Sequence, residues 1–207
     1  MNLVSWLKTK LTQYNSNNKS STILGYLQYK ILILGEPEVG KTSLCVRFIS
    51  NEFNLEIKPS KASECFCKDV TLFQEKIRIL LIDVDSNVLN LEHSLLYEHV
   101  KGVIVVYDVT KYKSFEKVDN WVLDMRKSIG YRTPILIVGN KNDLEYLKCV
   151  HERELKEKAE ELNCDYMETT CTDIESVDKA VKFMIGKIFY LDLPPNKQNY
   201  LKNYLQE

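Results

Sequence analysis

Two adjacent residues, Lys41 and Thr42, end a short polar stretch whose residue types and spacing suit a phosphate group. The stretch begins at Gly35 and reads Gly-Glu-Pro-Glu-Val-Gly-Lys-Thr, between an apolar run at 30–34 and a helix-like run at 43–49. A strand, such a loop and a helix together form a phosphate-binding loop, in which backbone N–H groups and the lysine face the anion. We expect Lys41 to contact the β- and γ-phosphates of a nucleotide and the Thr42 hydroxyl to bind Mg²⁺. The residues of this loop that are predicted to bind nucleotide are Gly35, Glu38, Val39, Gly40, Lys41, Thr42 and Ser43.

A second polar motif predicts which base the nucleotide carries. Asn140, Lys141, an asparagine and Asp143 follow an apolar run at 134–138 that is typical of a buried strand. The Asp143 carboxylate could accept hydrogen bonds from both N1–H and the 2-amino group of guanine, a donor pair that adenine lacks. The Lys141 stem can lie over the base, and Asn140 can tie this loop to the phosphate loop. Downstream of a phosphate loop, the motif therefore predicts a guanine nucleotide.

Apolar periodicity predicts strands that alternate with helices. The predicted strands are 30–34, 64–73, 76–82, 103–107, 134–138 and 165–168, and the predicted helices are 41–50, 89–98, 114–129, 151–163 and 174–189. This alternation is typical of an α/β fold with a mostly parallel sheet, which binds ligands at the carboxyl ends of its strands. Because Gly35, Asp83, Asn140 and Thr170 each follow a predicted strand, we expect them to converge on one crevice.

With these motifs, and with a central run at 102–110 followed by Ser114-Phe115 and 118–121, the chain resembles the small GTPases of the Ras superfamily, and within them the Rab branch. The resemblance covers residues 29–190. It implies a P-loop NTPase fold whose six-stranded, mostly parallel sheet carries helices on both faces. It also implies a switch between GTP and GDP that uses Mg²⁺, acts in vesicle or membrane traffic and has effector and regulator proteins as partners. We expect a monomer.

Composition narrows the classes of protein further. The chain has 207 residues, 28% of them charged, and a formal net charge of −1, which argues against a nucleic-acid binder. Its six cysteines show neither a CxxC pair nor a zinc-binding spacing, so they are most simply reduced thiols. We therefore expect a cytoplasmic protein, either free or peripheral to an intracellular membrane.

The segment that should sense and cleave the γ-phosphate departs from the family pattern, D-x-x-G-Q. Asp83 matches the aspartate associated with Mg²⁺, but Ser86 stands at the glycine position and Asn87 at the glutamine position. The glutamine orients the attacking water, and the Asn87 amide is one methylene shorter in reach. Asp85 adds an anion close to the expected phosphate. Asn87 is therefore a weak candidate catalytic residue, and we expect slow hydrolysis of GTP.

The first switch segment leaves its register open. The family pattern has a threonine that binds Mg²⁺, and this position falls on Ser60 when counted forward from Phe48 and on Lys61 when counted back from Phe66. Ser60 keeps the hydroxyl, so it is the preferred candidate; the alternative is an ordinary surface loop with no metal contact. The predicted metal ligands are Thr42, Ser60 and Asp83.

Two further parts of the nucleotide site are altered. Pro37, in the phosphate loop, lacks an N–H and so removes one phosphate donor. The last guanine motif of the family, usually Ser-Ala-Lys, reads Thr170-Cys171-Thr172. We predict that these three residues bind nucleotide, with the Cys171 N–H facing the guanine O6, although the missing lysine weakens this part of the base site.

The ends of the chain suggest a mode of membrane contact. Residues 1–28 form an extension in which Leu3, Trp6 and Leu7 fall on one face of a possible amphipathic helix. Three interpretations of this segment stay open. It is an interfacial membrane helix, it is an organelle transit peptide, or it has no targeting role and is a helix packed on the domain or a loose tail. The tail, 191–207, has no cysteine for the prenyl group that Rab proteins use, so we expect weak membrane association through the N-terminus.

Two functions stay open on these grounds. The leading hypothesis is a Rab-like guanine-nucleotide switch with slow hydrolysis. The alternative is a pseudo-GTPase that serves as a constitutive protein-binding module. The residues that discriminate between them are Ser60, Ser86 and Asn87.

Overall fold

A computed structural model describes residues 22–23, 26–50, 63–72, 75–84 and 94–193. Its strands are β1 (Thr22–Ile23), β2 (Tyr26–Leu34), β3 (Glu64–Leu72), β4 (Glu75–Asp83), β5 (Val100–Asp108), β6 (Ile135–Asn140) and β7 (Asp165–Glu168). Its helices are α1 (Lys41–Ser50), α2 (Ser94–Tyr97), α3 (Tyr112–Glu116), α4 (Val118–Ile129), α5 (Glu152–Glu161) and α6 (Ile174–Asp192), with a 3₁₀ turn at Glu145–Leu147.

The strands form one mixed sheet in the order β3-β4-β2-β5-β6-β7. β3 and β4 are antiparallel, and every other pair in this order is parallel. The predicted six-stranded, mostly parallel sheet is confirmed. The structure adds the short β1, which pairs antiparallel with the start of β2, and β2 begins at Tyr26 rather than at Lys30.

Helices cover both faces of the sheet. Successive side chains of a strand point to opposite sides, so each central strand presents apolar side chains to both helix layers. Ile31 and Ile33 of β2 pack on the side of α1 and α6, while Leu32 and Leu34 pack on the side of α4 and α5. All four side chains are fully buried. This two-sided burial explains the continuous apolar runs, which are typical of parallel strands.

Local signals set where the helices begin. The Asp173 carboxylate caps α6 by accepting hydrogen bonds from the N–H groups of Glu175 and Ser176, at 3.0 and 3.2 Å. The helix predicted at 114–129 is divided at Lys117 into α3 and α4. Of the helix predicted at 89–98, the structure describes only Ser94–Tyr97.

Within the described ranges, no helix has the length and apolar character needed to cross a bilayer.

Two glycines in central strands allow a matched test of how tightly this core is packed. A Cβ on Gly139 would lie 2.7 Å from the hydroxyl oxygen and 2.9 Å from the ring Cζ of the buried Tyr107. A Cβ on Gly102 would lie 2.7 Å from Met184 Sδ and 3.0 Å from Ile188 Cδ1. The two sites differ in what must move, since the first meets a buried ring and the second meets a flexible thioether.

We predict that Gly139→Ala lowers the free energy of unfolding by about 1–3 kcal/mol, because overpacking a rigid neighbour displaces the strand or the ring. Gly102→Ala should cost less, because the end of the Met184 side chain can move away. Urea unfolding of both variants, at one fixed nucleotide concentration, measures the difference. Equal losses, or a larger loss for Gly102→Ala, would contradict this account of the packing.

Candidate functional site

The carboxyl ends of the parallel strands carry the polar residues of the candidate site. Gly35 follows β2, Asp83 ends β4, Asp108 ends β5, Asn140 ends β6, and Thr169 follows β7. Parallel strands bring these ends to one edge of the sheet. The expected convergence is observed among the described residues, because side chains from each of these loops contact a neighbouring loop.

The phosphate loop depends on glycine at two points of close approach. Gly35 has φ 141°, and a Cβ there would lie 2.1 Å from the Val106 carbonyl oxygen. Gly40 has φ 96°, and a Cβ there would lie 2.3 Å from Asn140 Nδ2. Both positions combine a left-handed backbone with no room for a side chain, which explains the spacing of the two glycines. Glu38 also has a positive φ, 64°, which is uncommon for a residue with a side chain.

Lys41 is buried, with 9% of its surface exposed. Its ammonium group donates hydrogen bonds to the carbonyl oxygens of Gly35 and Glu36, both at 2.9 Å. These bonds fix the charge at the phosphate loop, and Val39, fully buried, anchors the loop to the core. Ser43 lies in the first turn of α1, so the N-terminus of this helix directly follows the loop.

Two of the three predicted metal ligands are in contact. The Thr42 hydroxyl donates a hydrogen bond to Oδ2 of Asp83, whose surface is 1% exposed. A hydroxyl and a carboxylate are oxygen ligands of the kind that Mg²⁺ binds, so the residues present fit this ion. The third predicted ligand, Ser60, and the candidate catalytic Asn87 lie outside the described residues.

Asn140 joins three loops through one buried side chain. Its Nδ2 donates to the Val39 carbonyl oxygen at 2.9 Å, and its Oδ1 accepts from the Thr169 hydroxyl at 3.2 Å. The Cys171 thiol lies 3.7 Å from the same Oδ1. The amide is 1% exposed, so these contacts replace water around it. The contact of Asn140 with the phosphate loop was predicted from the sequence, but Thr169 was not identified as a site residue. The sequence feature that could have identified it is its position directly after a predicted strand.

Lys141 connects the base motif to the phosphate loop and to β5. Its ammonium group donates to the Glu38 carbonyl oxygen at 2.8 Å and forms an ion pair with Asp108 Oδ2 at 2.7 Å. Burial opposes ionisation of the Asp108 carboxyl, but hydrogen bonds from Lys141 and Thr110 outweigh it and hold the pKa of Asp108 below its ordinary value. Asp108 was not among the predicted site residues; an acid at the end of a buried strand was the signal available.

The residues around the expected base position form a chain of hydroxyl contacts. The Thr170 hydroxyl donates to Oδ1 of Asp143 and lies 2.7 Å from the Thr172 hydroxyl. Asp143 is exposed, and the hydrogen bond from the Thr170 hydroxyl holds its carboxylate in place. Burial raises the pKa of the Cys171 thiol to about 11, so the thiol is neutral near pH 7.

These residues form one connected arrangement of a phosphate loop, an oxygen pair suited to Mg²⁺ and a fixed carboxylate. Comparison with known proteins agrees with the motifs found in the sequence. A sequence model described as the Ras family matches residues 30–190. GTP-binding protein ypt3 of Schizosaccharomyces pombe is 32% identical over 162 residues, which are 78% of this chain and 76% of that protein.

Two further relatives are Ras-related proteins. Rab-11A of Dictyostelium discoideum is 30% identical over 169 residues, 81% of this chain and 79% of its own length. RABA1e of Arabidopsis thaliana is 30% identical over 162 residues, 78% of this chain and 75% of its own length. The resemblance seen in the motifs is thereby confirmed: the chain belongs to the Ras family and is a Rab-like member of the Ras superfamily of small GTPases.

Proposed function

We propose that this chain is a Rab-like switch protein that binds GTP and GDP with Mg²⁺ and acts in vesicle or membrane traffic. The observation that carries the proposal is the Asn140 side chain, which holds the phosphate loop and both base loops together with 1% of its surface exposed. We assign residues 29–190 to the nucleotide-binding domain, with 1–28 and 191–207 as flanking segments.

Each part of the nucleotide has a proposed partner. The phosphates lie against the N–H groups around 39–42 and the Lys41 ammonium, where the loop and the start of α1 favour negative charge. The base lies between Lys141 and the 170–172 loop, and the Asp143 carboxylate accepts from guanine. Bound Mg²⁺ would be held by Thr42 and Asp83, with Ser60 as a proposed third partner, and would neutralise charge between the β- and γ-phosphates.

The structure supports guanine because Asp143 is held as an acceptor. The Thr170 hydroxyl donates its single hydrogen to Asp143 Oδ1, which positions the carboxylate at the expected base site. An ionised carboxylate is an acceptor only, which suits the two N–H donors of the guanine edge. Adenine would place an acceptor nitrogen and a C–H at the same positions.

We propose that hydrolysis is slow because Asn87 replaces the glutamine that orients water, on a segment outside the described residues. A chain that retained GTP without turning it over would act as a constitutive binding module, which is the second candidate function.

Effector and regulator proteins are the partners that either function requires. Membrane association through residues 1–15 stays a prediction about a part of the chain that the structure does not describe.

We predict that Asp143→Asn weakens GDP binding about 100-fold, because an amide replaces a charged acceptor of two hydrogen bonds. The same variant should gain affinity for xanthosine diphosphate, whose base offers an oxygen acceptor to the new amide N–H. Competition of GDP, ADP and xanthosine diphosphate against a labelled GDP measures all three affinities.

Asp124→Asn is the matched control, because Asp124 is an exposed carboxylate on α4 whose side chain pairs only with Lys127 among the contacts described. It should leave GDP binding unchanged. If Asp143→Asn and Asp124→Asn bind GDP equally well, Asp143 does not read the base.

We predict that the unmodified protein hydrolyses GTP more slowly than about 10⁻³ s⁻¹ without a helper protein. Single-turnover hydrolysis measures this rate, with Asn87→Gln as the test variant and the exposed Asn120→Gln on α4 as its control. The Asn87→Gln change restores the reach of the amide, so it should raise the rate or leave it unchanged if Ser86 also obstructs the segment. A faster rate in the unmodified protein contradicts the proposal, and retention of GTP with no turnover favours the binding module.

A further inference from the structure

The phosphate loop carries an acidic side chain, Glu38, at a place built to receive an anion. Its carboxylate forms an ion pair with the Lys111 ammonium, with Oε2 and Nζ 3.0 Å apart. Lys111 belongs to neither the phosphate loop nor the base motifs, since it lies in the loop between β5 and α3. This contact therefore joins a side chain of the phosphate loop to a part of the protein that has no assigned role in binding.

The backbone of Lys111 is held firmly, which fixes where its side chain starts. Its N–H donates to the Asp108 carbonyl oxygen at 2.9 Å, and its own carbonyl oxygen accepts from the N–H and hydroxyl of Ser114, at 2.9 and 2.6 Å. Ser114 is buried and also accepts from the Asp108 N–H at 3.0 Å. The lysine is thus presented from the rigid end of a central strand.

The other two lysines that contact the phosphate loop, Lys41 and Lys141, place their charges elsewhere. Lys41 donates to two carbonyl oxygens of the loop, and Lys141 pairs with the Asp108 carboxylate. Lys141 does reach Glu38, but it bonds to the backbone carbonyl oxygen and not to the carboxylate. Among the contacts described for this loop, the charge of Glu38 is thus balanced by Lys111.

We propose that Lys111 is a positioning residue for nucleotide retention, which acts by neutralising Glu38 and holding its carboxylate away from the bound phosphates. The inference deepens the proposed nucleotide-binding function and rests on it. Without Lys111, the Glu38 carboxylate repels the phosphates and is free to move toward them, so the nucleotide leaves faster. The side chains of Glu38 and Lys111 are 65% and 48% exposed, so solvent screens the effect and limits it to a few-fold change.

The test is the release rate of fluorescently labelled GDP from the Mg²⁺-loaded, full-length protein. Lys111→Ala should accelerate release about two- to fivefold at low salt, and about 1 M salt should remove most of the difference. Lys111→Arg keeps the charge and should retain the unmodified rate. Lys113→Ala removes another exposed lysine two residues along the chain and should change nothing.

Glu38→Gln separates a positioning role from a merely structural one. If Lys111 acts through Glu38, then Lys111→Ala should have no effect in the Glu38→Gln background. An equal acceleration in both backgrounds, or none in the unmodified background, overturns this inference alone. Failure of the unmodified protein to bind labelled GDP overturns the proposed function and this inference with it. Thermal unfolding of each variant confirms that the release rates compare folded proteins.

Discussion

The buried amide of Asn140 is the contact on which the arrangement of this site depends. The sheet fixes where each strand ends, but it does not fix the loops that follow. Asn140 does so by bonding to Val39 in the phosphate loop and to Thr169 beyond β7, at 2.9 and 3.2 Å. The approach is so close that Gly40 has no room for a Cβ, which would lie 2.3 Å from the amide nitrogen. The position of the Asn140 amide therefore requires a glycine at position 40, although the two residues are far apart in the sequence.

Around this contact, charge is arranged in local pairs. Lys141 pairs with Asp108 and Lys111 pairs with Glu38, while the neutral Thr42 hydroxyl donates a hydrogen bond to the Asp83 carboxylate. The buried pair and the exposed pair differ in consequence. Asp108 is buried and depends on its hydrogen bonds to stay ionised, whereas Glu38 is exposed and can be paired or released at little cost. The first pair ties the base motif to the end of β5, and the second is the pair that we propose adjusts how strongly the nucleotide is held.

Much of the site could be predicted because its residues are contiguous. The phosphate loop and the base motif each occupy a short stretch with a fixed relation to a strand, so the contact of Asn140 with the phosphate loop could be anticipated. The hydrogen bonds of Lys41 to carbonyl oxygens of its own loop and of Thr42 to Asp83 were not anticipated. Asp108, Thr169 and Lys111 were missed because their partners, which are Lys141, Asn140 and Glu38, lie far away in the sequence, and no local pattern encodes those pairings. The two-residue β1 was missed because it is too short to show a period, and the division at Lys117 was missed because apolar spacing continues across it. The register of the first switch stayed open because counting forward from Phe48 and back from Phe66 places the expected threonine on different residues.

The central claim is that Asn140 holds three loops in the arrangement that binds a guanine nucleotide. Isothermal titration of nucleotide-stripped protein with GDP and with ADP, in Mg²⁺, tests it most directly when the unmodified chain is compared with Asn140→Ala. We expect the unmodified chain to bind GDP but not ADP over the same concentration range. We expect Asn140→Ala to lose about 100-fold in GDP affinity, because the buried partners of Asn140 lose their hydrogen bonds. Similar affinities for GDP and ADP, or unchanged GDP binding in Asn140→Ala, would contradict the central claim.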